Sequence, residues 1–289
     1  MSREPIIEFI DQQDWVQETA DAVQGPVRDA FQQLGPAKDF LHGKWLGHAL
    51  HPVLTDIPIG AWTTALALDA VQMLTGSDGM ADASDLAITI GLAGAVGSAV
   101  TGLADWSESD GRAKNVGAVH GTLNLAAAGL YTASLIARRG NSRQKGVALS
   151  LLGYAITSFA AYLGGHLVFG EQLGIDHTAT ADQGQPKKFT AVMRASELKE
   201  RKPVRVDVED TAVLLVRTDD TINALTNTCS HLGGPLNEGK LEGDSIRCPW
   251  HGSRFCLSDG KVLDGPATFD ERTFEVRERD GQIEIRARD

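Results

Sequence analysis

The sequence is short of positive charge. Its 289 residues carry 27 Lys and Arg against 38 Asp and Glu, a formal net charge of −11. A protein that neutralises nucleic-acid phosphates needs a basic face, so this balance argues against a nucleic-acid binder. The three cysteines are too few for a disulfide framework, which excludes a small secreted fold held by disulfides.

Lysine and arginine are missing from two long segments, between Lys44 and Arg112 and between Lys145 and Lys187. Four apolar runs lie in and between these segments, and each is close to the roughly 20 residues that a helix needs to cross a bilayer. The alternative is a soluble helical bundle, but its helices would keep a polar face, and these runs are apolar nearly all round. They are also rich in small residues, which let helices approach closely in lipid. The four predicted spans are residues 57–75, 86–104, 116–137 and 146–170.

The segments on either side of the apolar runs are polar. Residues 1–35 have neither the basic start nor the apolar centre of a signal peptide, and they predict an amphipathic segment on the bundle or at the membrane interface. The predicted transmembrane domain covers residues 36–180, and a Gly- and Pro-containing linker covers residues 181–188. No internal repeat is evident in the sequence.

The last hundred residues, 189–289, have a different pattern. Short runs alternate between apolar and polar residues, are rich in β-branched side chains and are separated by turn signals such as Asp-Gly. Short strands at this spacing predict a small all-β sandwich or barrel. The predicted fold is therefore multi-domain, with an all-α four-helix transmembrane bundle followed by an all-β domain.

Two loops of this β-rich region combine cysteine with histidine. One contains Cys229 and His231 and the other contains Cys248 and His251. Two Cys and two His match the ligand set of a tetrahedral zinc site. The surrounding residues favour another site, because Cys-x-His-Leu-Gly-Gly followed by Cys-Pro-x-His-Gly-Ser-x-Phe closely resembles the Rieske iron–sulfur family.

The resemblance covers residues 189–288 and includes the later Gly-Pro-Ala at 265–267. In that family two Cys hold one iron of a [2Fe–2S] cluster and two His hold the other. The resemblance implies that Cys229 and Cys248 bind the buried iron and that His231 and His251 bind the outer one. We do not expect a self-contained Rieske oxygenase, since it would need a second iron site and no histidine follows His251 in the sequence.

The loops depart from the high-potential branch of the family. Gly234 and Trp250 stand where that branch has two further cysteines that form a disulfide, and Phe255 stands where it has a tyrosine. Ser253 remains as a donor to a bridging sulfide. Fewer hydrogen bonds to the sulfurs lower the reduction potential, so we expect about −150 mV rather than about +300 mV.

Histidines also mark the membrane half. In an up-down-up-down bundle, the predicted spans bring His48, His51, His120 and His166 to one end. Histidines on facing helices commonly bind a cofactor, and one interpretation is a haem b with His120 and His166 as its two axial ligands and His51 as the third candidate. A quinone site, a bare metal site and plain structural contacts are the alternatives. Residues 36–178 also resemble an uncharacterised bacterial family of four-span membrane domains, on the segments 41–62 and 164–167.

Together these features predict a membrane-bound Rieske protein that carries single electrons between a membrane-domain cofactor and a redox partner. Two alternatives are a quinone- or haem-dependent membrane oxidoreductase and a membrane-anchored ferredoxin-like module that serves a separate oxygenase or reductase. The sequence contains no Gly-x-Gly-x-x-Gly fingerprint, so we do not expect a nicotinamide or flavin site. We expect an inner-membrane protein with a cytoplasmic Rieske domain, although basic residues near the spans are equally divided between the two sides.

Overall fold

The computed structural model describes residues 4–140, 142–179, 184–219 and 221–288. The chain forms two compact units. The helical unit consists of Met1–Gly35 and Leu50–Leu173, and the β unit consists of Pro36–Ala49 and Gly174–Asp289. Residues 36–49, which the sequence pattern assigned to the transmembrane domain, therefore belong to the β unit. Residues 181–183 of the predicted linker lie outside the described residues.

Four long helices dominate the helical unit, and each packs mainly against its neighbour in the chain. The helices of the described chain are α1 (Pro5–Asp11), α2 (Asp14–Gln32), α3 (Pro36–His42), α4 (Leu50–Thr75), α5 (Asp78–Ser107), α6 (Gly111–Arg139) and α7 (Arg143–Phe169). Helices α4 and α5 form one hairpin, and α6 and α7 form a second. The two hairpins contact each other through α5 with α6 and α4 with α7.

Within the described residues, three helices are long and apolar enough to cross a membrane: α4, α5 and α7. Large apolar side chains point away from the bundle, with Leu74 87% and Phe169 88% exposed, as expected for a surface that faces lipid. The fourth predicted span lies in α6, which is long enough but carries polar residues such as His120 and Asn124. The fourth span is therefore not confirmed and stays a prediction.

Helices α1 and α2 form the amphipathic N-terminal segment and pack on the bundle. Ile7, Ile10 and Val16 are buried with apolar residues of α6 and α7. The side chain of Gln24 donates hydrogen bonds to the carbonyls of Trp106 and Ser109 at the end of α5, at 2.9 and 2.7 Å. This segment therefore contributes to the helical unit through its apolar face.

The strands of the β unit form small antiparallel sheets. They are β1 (Thr190–Arg194), β2 (Val204–Val208), β3 (Thr211–Thr218), β4 (Thr221–Thr226), β5 (Lys240–Glu242), β6 (Ser245–Arg247), β7 (Arg254–Cys256), β8 (Val262–Asp264), β9 (Phe274–Arg279) and β10 (Gln282–Ala287). Their orders in the described sheets are β1-β10-β9, β2-β3-β4 and β5-β6-β7-β8. The all-β prediction for this region is confirmed.

Strand β3 separates two apolar cores. Leu214 and Val216 face a core that also contains Cys229 and Cys248. The alternate residues Val213 and Leu215 face a second core built with β9 and β10. Side chains alternate between the two faces of a strand, so one run of apolar residues serves both cores. The cysteine loops thus emerge from a fully packed core.

Helix α3 is held on the β unit by polar contacts. The carboxylate of Asp39 accepts the backbone N–H of Gly265 at 2.9 Å. It also accepts the ammonium of Lys44 at 3.1 Å, and Lys44 in turn donates to the carbonyl of Leu263. These contacts explain why residues 36–49 belong to the β unit.

Candidate metal centre

The first cysteine loop, residues 229–234, is a tight turn closed by backbone hydrogen bonds. The N–H of Cys229 donates to the carbonyl of Gly234 at 2.8 Å, and the N–H of Gly233 donates to the carbonyl of Cys229 at 2.8 Å. Gly233 has a φ of 78°, a conformation that favours glycine. The turn presents the side chains of Cys229 and His231 from one short segment.

The second cysteine loop, residues 248–253, repeats this turn. The N–H of Cys248 donates to the carbonyl of Ser253 at 2.8 Å, and the N–H of Gly252 donates to the carbonyl of Cys248 at 3.2 Å. Gly252 has a φ of 77°, so a glycine stands at the same place in both turns. His251 is one residue further from its cysteine than His231 is in the first loop.

The two cysteines are buried and form a hydrogen-bonded pair. The hydrogen bond from the Cys229 thiol lowers the pKa of Cys248 to about 7, and backbone N–H groups of Trp250 and His251 act in the same direction. The same hydrogen bond, together with burial, holds the pKa of the Cys229 thiol well above its ordinary value. Metal binding requires both thiolates, so loading the site releases protons.

The two histidines lie side by side. The ring centroids of His231 and His251 are 5.0 Å apart and the rings are nearly perpendicular. The Nδ1 atom of His231 is buried and has no hydrogen-bond partner among the residues that the structure describes. Burial, and then the nearby His251, hold the pKa of His231 well below its ordinary value. The ring is therefore neutral, which is the form that binds metal.

These four side chains form two pairs rather than one cluster. Among the described residues, no three His, Cys, Asp or Glu side chains are grouped as ligands of a single ion. A structural zinc site needs four ligands around one ion. A Rieske cluster needs only two protein ligands on each of its two irons. The paired arrangement therefore fits the binuclear cluster better than zinc, and the orphaned Nδ1 of His231 fits a metal ligand in either site.

The pair Gly234 and Trp250 fills the space beside Cys248. A Cβ atom on Gly234 would lie 2.8 Å from the Cys248 Sγ and 3.1 Å from the Trp250 ring. Position 234 therefore has no room for a side chain while Trp250 holds its place. These are the two positions where the high-potential branch is expected to have its disulfide, and the structure places them in contact.

Two further residues named from the sequence lie in the core around the cysteines. Phe255 is fully buried in the same core as Cys229 and Cys248. Ser253 is also fully buried, and its Oγ accepts the N–H of Ala267 at 3.0 Å. Because this bond uses a lone pair of Ser253, its hydroxyl proton is still available to an acceptor in the site.

Sequence reasoning missed Glu271. This carboxyl is 3% exposed and accepts the backbone N–H of Ser230 at 2.7 Å and the hydroxyl of Thr226. Burial raises the pKa of Glu271 to about 8. Glu271 lies between Asp270 and Arg272, and such a charged run is typical of an exposed turn. No local signal therefore indicates that its carboxyl binds the first cysteine loop.

Two histidines outside the motif also lie near the site. His42, at the end of α3, is 1% exposed, and both it and His177 are close enough to His231 to lower its pKa. The N–H of His177 donates to the carbonyl of Ser230 at 3.1 Å. The sequence pattern placed His42 with the membrane half, because α3 precedes the first apolar run.

The structure brings together only some of the histidines of the membrane half. The rings of His51 on α4 and His120 on α6 have centroids 6.3 Å apart. His166 instead has its Nε2 3.0 Å from the Oε1 of Glu171. His48 lies in the β unit, with its Nδ1 3.1 Å from the carbonyl of Ala49. His120 is therefore paired with His51, the third candidate, and not with His166.

Comparison with known proteins identifies both halves of the chain. Residues 188–275 match the family model of the Rieske [2Fe–2S] domain. Residues 47–177 match a predicted membrane protein family, DUF2231. Both resemblances drawn from the sequence motifs are confirmed.

Curated relatives match the C-terminal part of the chain. Ferredoxin CarAc of Metapseudomonas resinovorans is 35% identical over 32% of this chain and 89% of its own length. The ferredoxin component of the naphthalene 1,2-dioxygenase system of Pseudomonas putida is 32% identical over 31% of this chain and 86% of its own length. Human apoptosis-inducing factor 3 is 33% identical over 34% of this chain, which spans only 16% of that protein's length. The chain belongs to the Rieske [2Fe–2S] family through a C-terminal electron-transfer domain homologous to dioxygenase ferredoxins, which follows a domain of the DUF2231 membrane family.

Proposed function

We propose that this protein is a membrane-bound carrier of single electrons whose [2Fe–2S] cluster is held by Cys229 and Cys248 on one iron and by His231 and His251 on the other. The arrangement of the four side chains as two pairs on two copies of one turn supports this assignment. The cluster would supply a one-electron couple when bound.

The protein's own residues would stabilise the charge of the site. The backbone N–H groups of Trp250 and His251 donate to the Cys248 sulfur, and that of His231 donates to the Cys229 sulfur. Such bonds favour negative charge on the sulfurs and thereby tune the potential. His251 is only partly buried, and the neighbouring Trp250 ring is 57% exposed. This edge is where we propose that electrons enter and leave.

The identity of the redox partner is a further part of the proposal. The similarity to ferredoxin components of dioxygenase systems supports a separate oxygenase or its reductase as the partner protein. The second candidate is a cofactor in the membrane domain, with haem b as the first choice, and the pairing of His51 with His120 supports it. We place the protein in the inner membrane with the Rieske domain in the cytoplasm.

The cluster assignment can be tested on the full chain purified anaerobically in detergent. The protein should contain two irons and two sulfides and show the anisotropic EPR signal of a reduced cluster with mixed ligands. Cys229→Ser and Cys248→Ser should lose this signal, whereas Cys256→Ser, which changes the remaining cysteine, should keep it. Stoichiometric zinc without iron or sulfide would contradict the assignment.

A further inference from the structure

The two hairpins of the helical unit, α4 with α5 and α6 with α7, share residues at several equivalent positions. When α6 is written beneath α4 from His120 and His51 onwards, residues of the same or complementary kind coincide at seven positions between residues 51 and 69 of α4. The coincident pairs are His51 with His120, Leu54 with Leu123, Gly60 with Gly129, Trp62 with Tyr131, Thr63 with Thr132, Leu66 with Leu135 and Asp69 with Arg138. Helix α7 can be aligned with α5 so that Gly91 coincides with Gly153 and Gly102 with Gly164. These coincidences indicate a repeat that the sequence pattern alone did not reveal.

Equivalent residues of the two hairpins contact one another. The rings of Trp62 and Tyr131 are stacked with centroids 4.0 Å apart. Near the other end of the helices, the side chains of Asp69 and Arg138 form a buried ion pair with an oxygen–nitrogen distance of 2.5 Å. In a two-fold arrangement only residues on the axis touch their own equivalents. A pseudo-two-fold axis therefore runs along the bundle, as in membrane proteins with parallel repeats.

His51 and His120 form the third pair on this axis, and both rings are held in the same way. The Nδ1 of His51 lies 2.8 Å from the carbonyl oxygen of Ser98 on α5. The Nδ1 of His120 lies 2.8 Å from the carbonyl oxygen of Ala160 on α7. A carbonyl only accepts, so Nδ1 carries the proton in both rings and Nε2 keeps a lone pair.

Glycines make the room for both rings. A Cβ atom on Gly102 would lie 2.7 Å from the Cε1 of His51, and one on Gly164 would lie 3.1 Å from the Cε1 of His120. Each glycine stands one helical turn after the carbonyl that binds its histidine. The same arrangement, a backbone carbonyl that binds Nδ1 and a glycine that leaves room for the ring, thus occurs once in each hairpin.

The histidine pair differs from the other two residue pairs on the axis. Trp62 stacks on Tyr131 and Asp69 bonds to Arg138, so each of those pairs is joined directly. Two imidazoles that each carry the proton on Nδ1 cannot bond to each other through Nε2, because both Nε2 atoms would accept. An electron-pair acceptor between them would satisfy both nitrogens, and a metal does so with Nε2 bonds of about 2.0–2.1 Å.

We propose that His51 and His120 bind one metal centre on the pseudo-two-fold axis through their Nε2 atoms. The shared chemistry is a metal with two imidazole ligands, either the iron of a haem or a bare transition-metal ion. The Nδ2 of Asn124 lies 3.2 Å from the Nε2 of His120 and 3.0 Å from its carbonyl oxygen. The amide can keep the carbonyl bond when Nε2 binds the metal. This proposal rests on the membrane-cofactor part of the proposed function and not on the iron–sulfur cluster.

The test uses the full chain in detergent and two probes, haemin and Co²⁺, each titrated and followed by absorption spectroscopy. Wild-type protein should bind one equivalent of one probe. A shifted Soret band typical of two axial histidines would assign haem, and ligand-field bands with Co²⁺ alone would assign a bare ion. His51→Ala and His120→Ala should each weaken that binding at least tenfold, whereas His166→Ala should bind like the wild type.

Two glycine variants distinguish damage to the metal site from a general loss of stability of the bundle. Gly102→Ala should weaken binding because the added methyl group displaces the His51 ring, whereas Gly97→Ala on the same helix meets only ordinary contacts. Binding of neither probe by wild type would overturn the proposal, as would unchanged binding by both histidine variants or equal loss in His166→Ala. The EPR signal of the iron–sulfur cluster, recorded on every variant, shows whether the proposed function fails separately.

Discussion

At the scale of single residues, Glu271 connects the site to the stability of the fold. Burial raises its pKa to about 8 from an ordinary value of 4.5. Between these values the folded protein holds a proton that the unfolded chain has lost. The stabilisation is therefore complete below pH 4.5 and is lost as the pH rises through 8. Over this window the free energy of unfolding should fall by about 1.4 kcal/mol per pH unit.

Glu271→Gln should remove this pH dependence, because the amide still accepts the Ser230 N–H and can donate to Thr226. The measurement is the midpoint of thermal loss of the cluster's visible circular dichroism between pH 5 and pH 8. It should fall with pH in the wild type and change less in the variant. Glu197→Gln, at an exposed position of the same domain, should keep the wild-type profile. A variant profile as steep as the wild type would contradict the role given to Glu271.

Phe255 and Ser253 give a second prediction at this scale. Both are fully buried beside the cysteines, but only Ser253 can donate a hydrogen bond to the sulfurs of the cluster. The potential should lie near the low end of the family range, about −150 mV, with Phe255→Tyr raising it and Ser253→Ala lowering it. An EPR-monitored redox titration measures all three. Phe274→Tyr in the other core is the control and should leave the potential unchanged. A wild-type value above about +200 mV would show that these hydrogen bonds do not control the potential.

The sequence predicts residues whose role depends on a local motif and misses those that act over long distances. Cys229 and His231 stand two positions apart on one turn, so their spacing alone is informative. Glu271 reaches Ser230 only through the fold. His42 approaches His231 only because α3 belongs to the β unit. Neither contact leaves a trace in the local sequence.

At the scale of elements, the segment 36–49 differs most from expectation. It precedes the first apolar run, so the sequence pattern assigns it to the membrane domain. Its polar contacts are instead with Leu263 and Gly265, far along the chain. Strands are easier to predict, because alternation within a run such as β2 is a local property. Helix α6 is a mixed case, since its existence follows from its apolar run but its role as a span does not.

Asp39→Ala should loosen this segment from the β unit. The variant loses an acceptor for the Gly265 N–H and for the Lys44 ammonium, which should cost about 1–2 kcal/mol. Limited proteolysis should then cut within residues 36–49 at lower protease concentration, and the thermal midpoint of the cluster signal should fall. Asp207→Ala is the matched control, because the Asp207 side chain is 64% exposed in its pair with Arg205 and should cost little. Equal protection of the Asp39 variant and the wild type would mean that other contacts hold the segment.

At the scale of the whole molecule, the duplication explains why the polar residues of α6 are compatible with a span. Arg138 is fully buried and bonds to Asp69 and Asp85. His120 lies on the axis with its equivalent His51. These side chains face the inside of the bundle, where polar groups in membrane proteins are usually paired. The repeat is hidden in the sequence because few positions coincide and because the offset changes from 69 residues between α4 and α6 to 62 residues between α5 and α7.

The duplication predicts four spans. Helix α4 is apolar enough to cross the membrane, and α6 is its equivalent, so α6 should cross in the same direction. Fusions of alkaline phosphatase after Ser77, Asp110, Ser142 and the last residue should then alternate in activity. The fusions at Asp110 and at the end of the chain should be inactive if both lie in the cytoplasm. The fusions at Ser77 and Ser142 should be active, and green fluorescent protein at the same four positions should show the opposite pattern. If α6 did not span, the fusions at Asp110 and Ser142 would report the same side, and the pseudo-two-fold arrangement of the two hairpins across the membrane would be contradicted.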